Sequence, residues 1–352
     1  MKTIALIGTC GHQTAALDEL MRLGGCRLAA VAPASPDDDV DALVRRNAFT
    51  SAAMVYSTPE ALFAACEPDI VVVSPRLDLI APVAALAARH GAHIVCEKPF
   101  ALSLDALDAL WQTVTSAGVQ CIPILANRQH PVLAAACDAV RRGWIGNVTL
   151  LNARKSYRWG TRPAWFGRRE TYGGTLPWIG IHALDFIHAA AGRPFVSISA
   201  VHARLGHPSH PECEDACAFC ATLEGGAVAT GSIDYFRPDC APTHGDDWLR
   251  IAGTRGIIEA EMERGHCRIL SPDVPRTAGN ASAEPQFAEL PLPPRAMFLE
   301  EPVRALAPRG TKADPCAETR RGFLLSQAAL LARDAADSHA VLSIPRRPWH
   351  LT

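Results

Sequence analysis

Six short apolar runs alternate with five stretches of helical periodicity over the first 125 residues of the chain. Residues 3–7 are apolar and end at Gly8. Residues 12–23 place Ala15, Ala16, Leu20 and Leu23 at helical spacing before Gly24 and Gly25 stop them. Further strands are predicted at 27–32, 53–56, 69–73, 93–96 and 119–124. Helices are predicted at 37–46, from the capping signal Ser57-Thr58-Pro59-Glu60 to about Cys66, at 79–90 and at 103–117, with Gly91 and Gly118 as left-handed stops. The helix at 37–46 opens on three aspartates and closes on Arg45 and Arg46, as a helix dipole favours. Strands separated by ten- to fifteen-residue helices form right-handed βαβ units on a parallel sheet. The predicted N-terminal unit, residues 1–125, is a doubly wound, Rossmann-type domain.

Beyond residue 125 the rhythm changes. One helix at 131–142 leads into strands expected at 147–157, 196–204, 215–223, 227–235, 248–252, 257–262 and 267–270, separated by turn signals such as Glu224-Gly225-Gly226. A helix at 319–336 and a short strand at 340–344 close the chain, and the Pro- and Ala-rich residues 277–294 read as a surface loop. Residues 126–352 are therefore expected to be an α+β domain on a mostly antiparallel, open-faced sheet, one face of which covers a ligand.

Composition narrows the function classes. Lys+Arg number 34 against 36 Asp+Glu, so no positive excess drives nucleic-acid capture. The longest apolar runs fall well short of the ~20 residues of a membrane span. The first residues read as a strand rather than a signal peptide, which places the twelve cysteines as thiols in a reducing cytoplasm.

Three places carry chemistry. The loop Gly8-Thr9-Cys10-Gly11-His12-Gln13 joins the first strand to the first helix, where backbone N–H groups meet a pyrophosphate. Of the three usual glycine positions (here Gly8, Cys10 and Gln13) one keeps glycine, and no acid closes the second strand. Alone, the loop reads equally as a tight turn. Glu97-Lys98-Pro99 follows the fifth strand, at the sheet edge that lines the ligand crevice. A desolvated lysine there can exchange a proton with a hydroxyl, and Glu97 can hold the ammonium or a ribose hydroxyl. The third place is Tyr172-Gly173-Gly174-Thr175-Leu176-Pro177-Trp178-Ile179-Gly180-Ile181-His182-Ala183-Leu184-Asp185, where Asp185 is placed to orient the His182 imidazole one helical turn away. His188 reads as a structural histidine.

On these residues, together with Gly91-Ala-His-Ile-Val-Cys96, Asp69-Ile-Val-Val-Val-Ser-Pro75, Gly143-Trp-Ile-Gly-Asn-Val148 and Asp247-Trp-Leu-Arg-Ile-Ala-Gly253, the chain resembles the Gfo/Idh/MocA oxidoreductases over nearly its whole length. The resemblance implies an enzyme using NAD or NADP to move a hydride to or from a carbon of a sugar, polyol or sugar derivative. It assigns Lys98 to the reacting hydroxyl and His182 to acid–base work. It sets Gly8, Thr9, Cys10, Gly11, His12, Gln13, Ser74, Pro75, Glu97 and Lys98 against the cofactor, and Tyr157, Trp165, Trp178, His182 and Asp185 against the substrate. It also implies a homo-oligomer paired through the open sheet. Many members carry an aspartate where Trp178 stands here, so Trp178 is expected either to stack on a sugar ring or, equally, to pack in the core. Cys10, Gln13 and Trp178 keep a second reading open: a non-catalytic sugar- or nucleotide-binding regulatory protein on the same fold.

Two further clusters complete the reading. The basic and aromatic stretch Arg154-Lys155-Ser156-Tyr157-Arg158-Trp159, with Trp165-Phe166-Gly167-Arg168-Arg169, is expected to rim the site for a polar sugar derivative, acidic or neutral, ahead of the alternative of a solvated loop. His207, His210, Cys213, Cys217 and Cys220 resemble a zinc set, but strand alternation puts Cys217 and Cys220 on opposite faces, so no metal is predicted.

Overall fold

A computed structural model describes residues 1–46, 52–274 and 286–350. Six parallel strands, β1 (Lys2–Ile7), β2 (Cys26–Ala32), β3 (Met54–Val55), β4 (Ile70–Val73), β5 (His93–Cys96) and β6 (Cys121–Pro123), lie in the order β3-β2-β1-β4-β5-β6. Both faces of β1 are covered: Ala5 and Ile7 enter one apolar cluster, Ile4 and Leu6 another. That double burial is why the strand reads as a continuous apolar run. Helices α1 (Gln13–Arg22), α2 (Val40–Arg46), α3 (Pro59–Ala65), α4 (Ile80–Arg89) and α5 (Leu104–Ala117) make the crossovers. The Thr58 and Ser103 hydroxyls cap α3 and α5 by accepting from the Ala61 and Ala106 N–H groups. The strand order reverses between β1 and β4, which opens a crevice at their carboxyl ends.

The helix expected from residue 37 starts instead at Val40. Asp38 is withdrawn from it because its carboxylate accepts the Ala34 and Ser35 N–H groups, while Asp39 caps the helix through the Ala42 N–H. Asn and Asp side chains bonded in this way favour turns over helix interiors.

The remaining chain adds α6 (Pro131–Arg141), β7 (Val148–Tyr157), α7 (Arg169–Tyr172), α8 (Ile181–Ala191), β8 (Phe195–Ala203), β9 (Ala216–Leu223), β10 (Val228–Asp234), β11 (Gly245–Gly253), β12 (Ile257–Glu261), β13 (His266–Leu270), β14 (Ala288–Glu289), α9 (Glu300–Arg304), α10 (Ala317–Ser338) and β15 (Leu342–Ser343). Its nine strands run β14-β13-β12-β11-β7-β10-β9-β8-β15, antiparallel at every pairing except β10 with β7. Helices α6, α8 and α10 cover one face. The other presents apolar side chains to solvent, among them Val196, Val201 and Val341. Of the expected loop 277–294, residues 277–285 lie outside the described residues, and Ala288–Glu289 add an edge strand to β13 that is too short to show in composition.

Later chain returns to the first sheet. Phe298, Leu299, Val303 and Leu306 complete the cluster under β1 and α1, and the Leu299 N–H donates to Glu19. Thr319 on α10 bonds Gln120 and the Cys121 N–H beside β6. All twelve cysteines are free. No helix among the described residues is long and apolar enough to cross a membrane.

Candidate active site

The β1–α1 loop enters the crevice under two tight constraints. Gly8 holds φ at +86°, and a Cβ there would lie 2.4 Å from the Pro75 Cα. At Gly11 a Cβ would lie 2.3 Å from a Glu97 carboxylate oxygen. These close approaches need bare backbone. The two departures from the glycine pattern are absorbed locally. Gln13 is buried, donates to the Thr9 carbonyl at 3.0 Å and accepts from the Ser74 hydroxyl at 3.2 Å. Cys10 donates its N–H to the Ser74 carbonyl and turns its thiol to Asp38, 3.3 Å away. Burial and the adjacent Asp38 push that thiol far up, so it stays protonated.

Asp38 is a residue that strand-end inspection misses. It lies several positions past β2, yet its carboxylate bridges Thr9 N–H on the glycine loop and Ala34 and Ser35 N–H beyond β2. Next to it a cleft of about 650 Å³ runs between Pro33–Pro36, Ser57–Glu60 and one side of α4 from Pro82 to Arg89. The place of the expected acid is thus filled by a residue that turns back.

Glu97 departs from its expected partner. Its buried carboxylate accepts from the His12 backbone N–H at 2.6 Å, pairs with His12 Nδ1 at 2.9 Å, and accepts from the Lys98 N–H at 2.9 Å. Burial alone would raise its pKa, but the charge and hydrogen bonds of His12 and the Lys98 ammonium outweigh burial and hold it at about 2. The ammonium goes elsewhere. Lys98 Nζ donates to the Trp178 carbonyl at 2.7 Å and lies 3.4 Å from the centre of the Trp178 ring. A desolvated contact of this kind contributes roughly 2 kcal/mol. Burial, partly offset by Glu97 and reinforced by Lys155 and Arg162, lowers Lys98 to about 7.

Trp178 sits on a π-helical turn, Leu176–Gly180, ahead of α8. Its ring also stacks on His12 at 5.4 Å and meets Phe166 edge-on at 6.3 Å. The indole is 5% exposed, and its contacts are with protein groups. His182 follows on α8, buried, with its ring edge toward His12 at 6.5 Å and Nδ1 unpartnered. Burial and the neighbouring cations Lys98, Lys155 and His12 hold it well below its usual range, so it is a neutral imidazole.

Asp185 does not orient His182. Its carboxylate accepts from Arg321 on α10 at 2.8 Å, with Arg128 at 4.0 Å. Three residues of helix bring the two near one face, but a buried guanidinium wins the carboxylate by charge. His188 is half-buried, and desolvation lowers it to about 4.

The basic and aromatic stretch divides by strand alternation. Arg154 lies on the open face beside Trp248, paired with Asp246. Lys155 and Tyr157 face inward. Lys155 is fully buried, bonded to Asp247, and 4.9 Å and 5.1 Å from the Tyr157 and Phe186 rings. Burial works against its charge, yet Tyr157 and Asp247 outweigh burial and keep it protonated. A lysine at an inward position of a half-buried strand was the available signal. Trp165 is buried against Phe166 at 4.3 Å. Cys217 is buried and Cys220 exposed, as alternation requires. His207 pairs with Asp215 and stacks on Trp159, and His210 bonds Ser209 and the Pro163 carbonyl.

A nucleotide-type crevice, with a lysine at the end of β5 and a histidine from α8, marks an α/β protein built on a Rossmann-type sheet. Residues 2–124 match the family model described as oxidoreductase family, NAD-binding Rossmann fold, and residues 133–259 match the Gfo/Idh/MocA C-terminal domain. The chain belongs to the Gfo/Idh/MocA oxidoreductase family. A solved Thermotoga maritima structure, provisionally given as an oxidoreductase, is 30% identical over 97% of this chain and 100% of its own, with a TM-score of 0.84. Levoglucosan dehydrogenase of Pseudarthrobacter phenanthrenivorans is 28% identical over 48% of this chain and 44% of its own length. Inositol 2-dehydrogenase of Rhizobium meliloti is 26% identical over 59% and 61%. The chain spans about half the length of the curated relatives it matches. A levoglucosan dehydrogenase structure in complex with NADH shares the fold, at TM-score 0.80, 17% identity and coverage of 98% of this chain and 100% of that one.

Proposed function

We propose that this protein is an NAD-dependent dehydrogenase acting on a carbinol of a sugar or polyol. The observation that carries the reading is the gathering of Lys98, lowered to about 7, and the neutral His182 ring around Trp178 and His12 at the carboxyl end of β5. Gly8, Gly11 and Asp38 form the cradle at the crevice, and the cleft beside Asp38 has room for an adenine. Bound there, the dinucleotide supplies the hydride acceptor or donor. Lys98 holds the substrate oxygen, and His182 and Lys98 take up or return its proton. Lys155, charged and bonded to Asp247, fixes the β7 side of the pocket. On this reading residues 1–125 hold the cofactor and 126–352 the substrate. Relatives named for levoglucosan, D-glucoside and inositol support the substrate class.

Saturable energy transfer from the seven tryptophans to NADH tests the reading first. One observation favours the non-catalytic alternative: the Thr9 and His12 N–H groups are engaged by Asp38 and Glu97. Absence of NADH and NADPH binding at millimolar concentration would decide for it.

Asp38 sets the cofactor choice on the same reading. A carboxylate beside the adenosine ribose opposes a 2′-phosphate by roughly 1 kcal/mol or more at surface-like screening. NADH is expected to bind at least about fivefold tighter than NADPH, and Asp38→Asn, which removes the charge and keeps one of the two acceptor oxygens, should erase the difference. The same titration reads both, and an unchanged ratio would remove Asp38 from the assignment. The open sheet face with its exposed valines is assigned to self-association, so sedimentation should show a homo-oligomer. The free cysteines fit a reducing cytoplasm.

A further inference from the structure

Arg162 is the charged group near the site that the dehydrogenase reading does not use. It lies in the loop between β7 and α7, half-buried, with its guanidinium carbon 4.8 Å from the Tyr235 ring centre, 5.3 Å from Phe166 and 5.9 Å from Trp159. Phe166 in turn meets Trp178, the indole that carries Lys98. Arg162 is therefore one aromatic ring removed from the lysine's own platform.

Its polar contacts are few. One terminal nitrogen donates to the Arg158 carbonyl at 3.3 Å, and the buried Nε has no partner. No carboxylate among the described residues pairs with it, whereas every carboxylate around the pocket is engaged. Glu97 holds His12, Asp247 holds Lys155, Glu263 accepts the Asp247 N–H, and Asp185 holds Arg321. Lys98 and Arg162 lie on either side of the Trp178–Phe166 ring pair, near enough for each to add positive charge to the other's surroundings. A half-buried guanidinium on aromatic walls is rigid, weakly hydrated and shaped to grip two oxygens at once.

We propose that the substrate is a sugar acid, its carboxylate bound by Arg162 while a carbinol of the same molecule meets Lys98 and His182. This rests on the dehydrogenase reading for the reaction and adds only the anionic anchor. A neutral sugar leaves Arg162 without its counter-charge, while a carboxylate replaces the water it loses with a charge-assisted pair. The anchor lies away from the reacting carbon, so it acts on binding first and on turnover through orientation.

The experiment compares acids with neutral sugars of the same skeleton: D-glucuronate with D-glucose, and D-galacturonate with D-galactose, with D-gluconate and D-galactonate as open-chain acids. NAD-linked turnover is expected to favour an acid by tenfold or more in kcat/KM. Arg162→Gln should collapse that preference at least tenfold, mainly through KM, and Arg162→Lys should recover part of it. Calorimetric binding of the same acids, with and without NADH, gives a readout that does not need turnover. If NADH and an acid bind and Arg162→Gln abolishes acid binding, the anchor stands even where turnover fails. Neutral sugars preferred over all four acids, no acid bound by the unaltered protein, or equal losses for acid and neutral sugar in Arg162→Gln would each overturn the proposal.

Discussion

Lys98→Ala is expected to lower kcat/KM for sugar oxidation by about three orders of magnitude while leaving the circular dichroism spectrum unchanged. Positioned acid–base groups contribute roughly 10²–10⁴ in rate, and this lysine both holds the oxygen and exchanges its proton on the reading above. The unaltered protein should show its basis in a pH profile. Below about 7 Lys98 is protonated and cannot accept a proton, and His182 is already neutral there. Oxidation should then rise about tenfold per pH unit up to that point and level off above it, with the opposite trend for reduction. Lys98→Arg should not rescue oxidation, because a guanidinium stays charged throughout. Stability follows the same group with a definite sign. Its value of about 7 in the fold lies below the 10.5 of a free lysine, so the unfolded chain binds more protons between the two. Burial of Lys98 therefore destabilises fully below about pH 7, and that penalty fades as pH rises toward 10.5. Lys98→Ala should flatten this slope in thermal melts. Activity within tenfold of the unaltered protein would exclude Lys98 from the chemistry.

The backbone plan of this chain is written in its periodicities, whereas the site is written only in part. Strands such as β5 coincide with their apolar runs because both faces are covered and the flanking Gly91 and Pro99 stop the pattern on either side. Ser103 and Thr58 cap their helices where a hydroxyl ahead of a helical run leads one to expect it. Side-chain partners are a different matter, since they are chosen across the fold. Asp185 shares a helix with His182, but Arg321, 136 positions away, takes its carboxylate. Glu97 is next to Lys98 in sequence and bonds His12, 85 positions earlier. Asp38 escapes a search at the end of β2 because a turn brings it back to the crevice. Arg162 lies in an irregular loop with no period to mark it. Local patterns fix where a residue starts, and competition among buried charges fixes what it touches.

Arg321→Leu is the substitution expected to destabilise most outside the site. Arg321 on α10 is 5% exposed and Asp185 on α8 is 1% exposed, and the guanidinium donates to Asp185 at 2.8 Å while also holding Glu318. Removing one member of such a pair leaves a charge in the interior and costs about 3–5 kcal/mol, more than the pair itself contributes. Arg128, at 4.0 Å and partly exposed, is too distant to take over, and one Asp185 oxygen already lacks a partner. The loss should be read by urea unfolding. Asp185→Leu combined with Arg321→Leu should recover much of the stability, since two apolar side chains replace two desolvated charges. The pair also fixes α8 against α10 one turn beyond His182, so Arg321→Leu should lower kcat before the fold is lost. A cost below about 1 kcal/mol, or a double variant no more stable than Arg321→Leu alone, would show that packing rather than this ion pair joins the two helices.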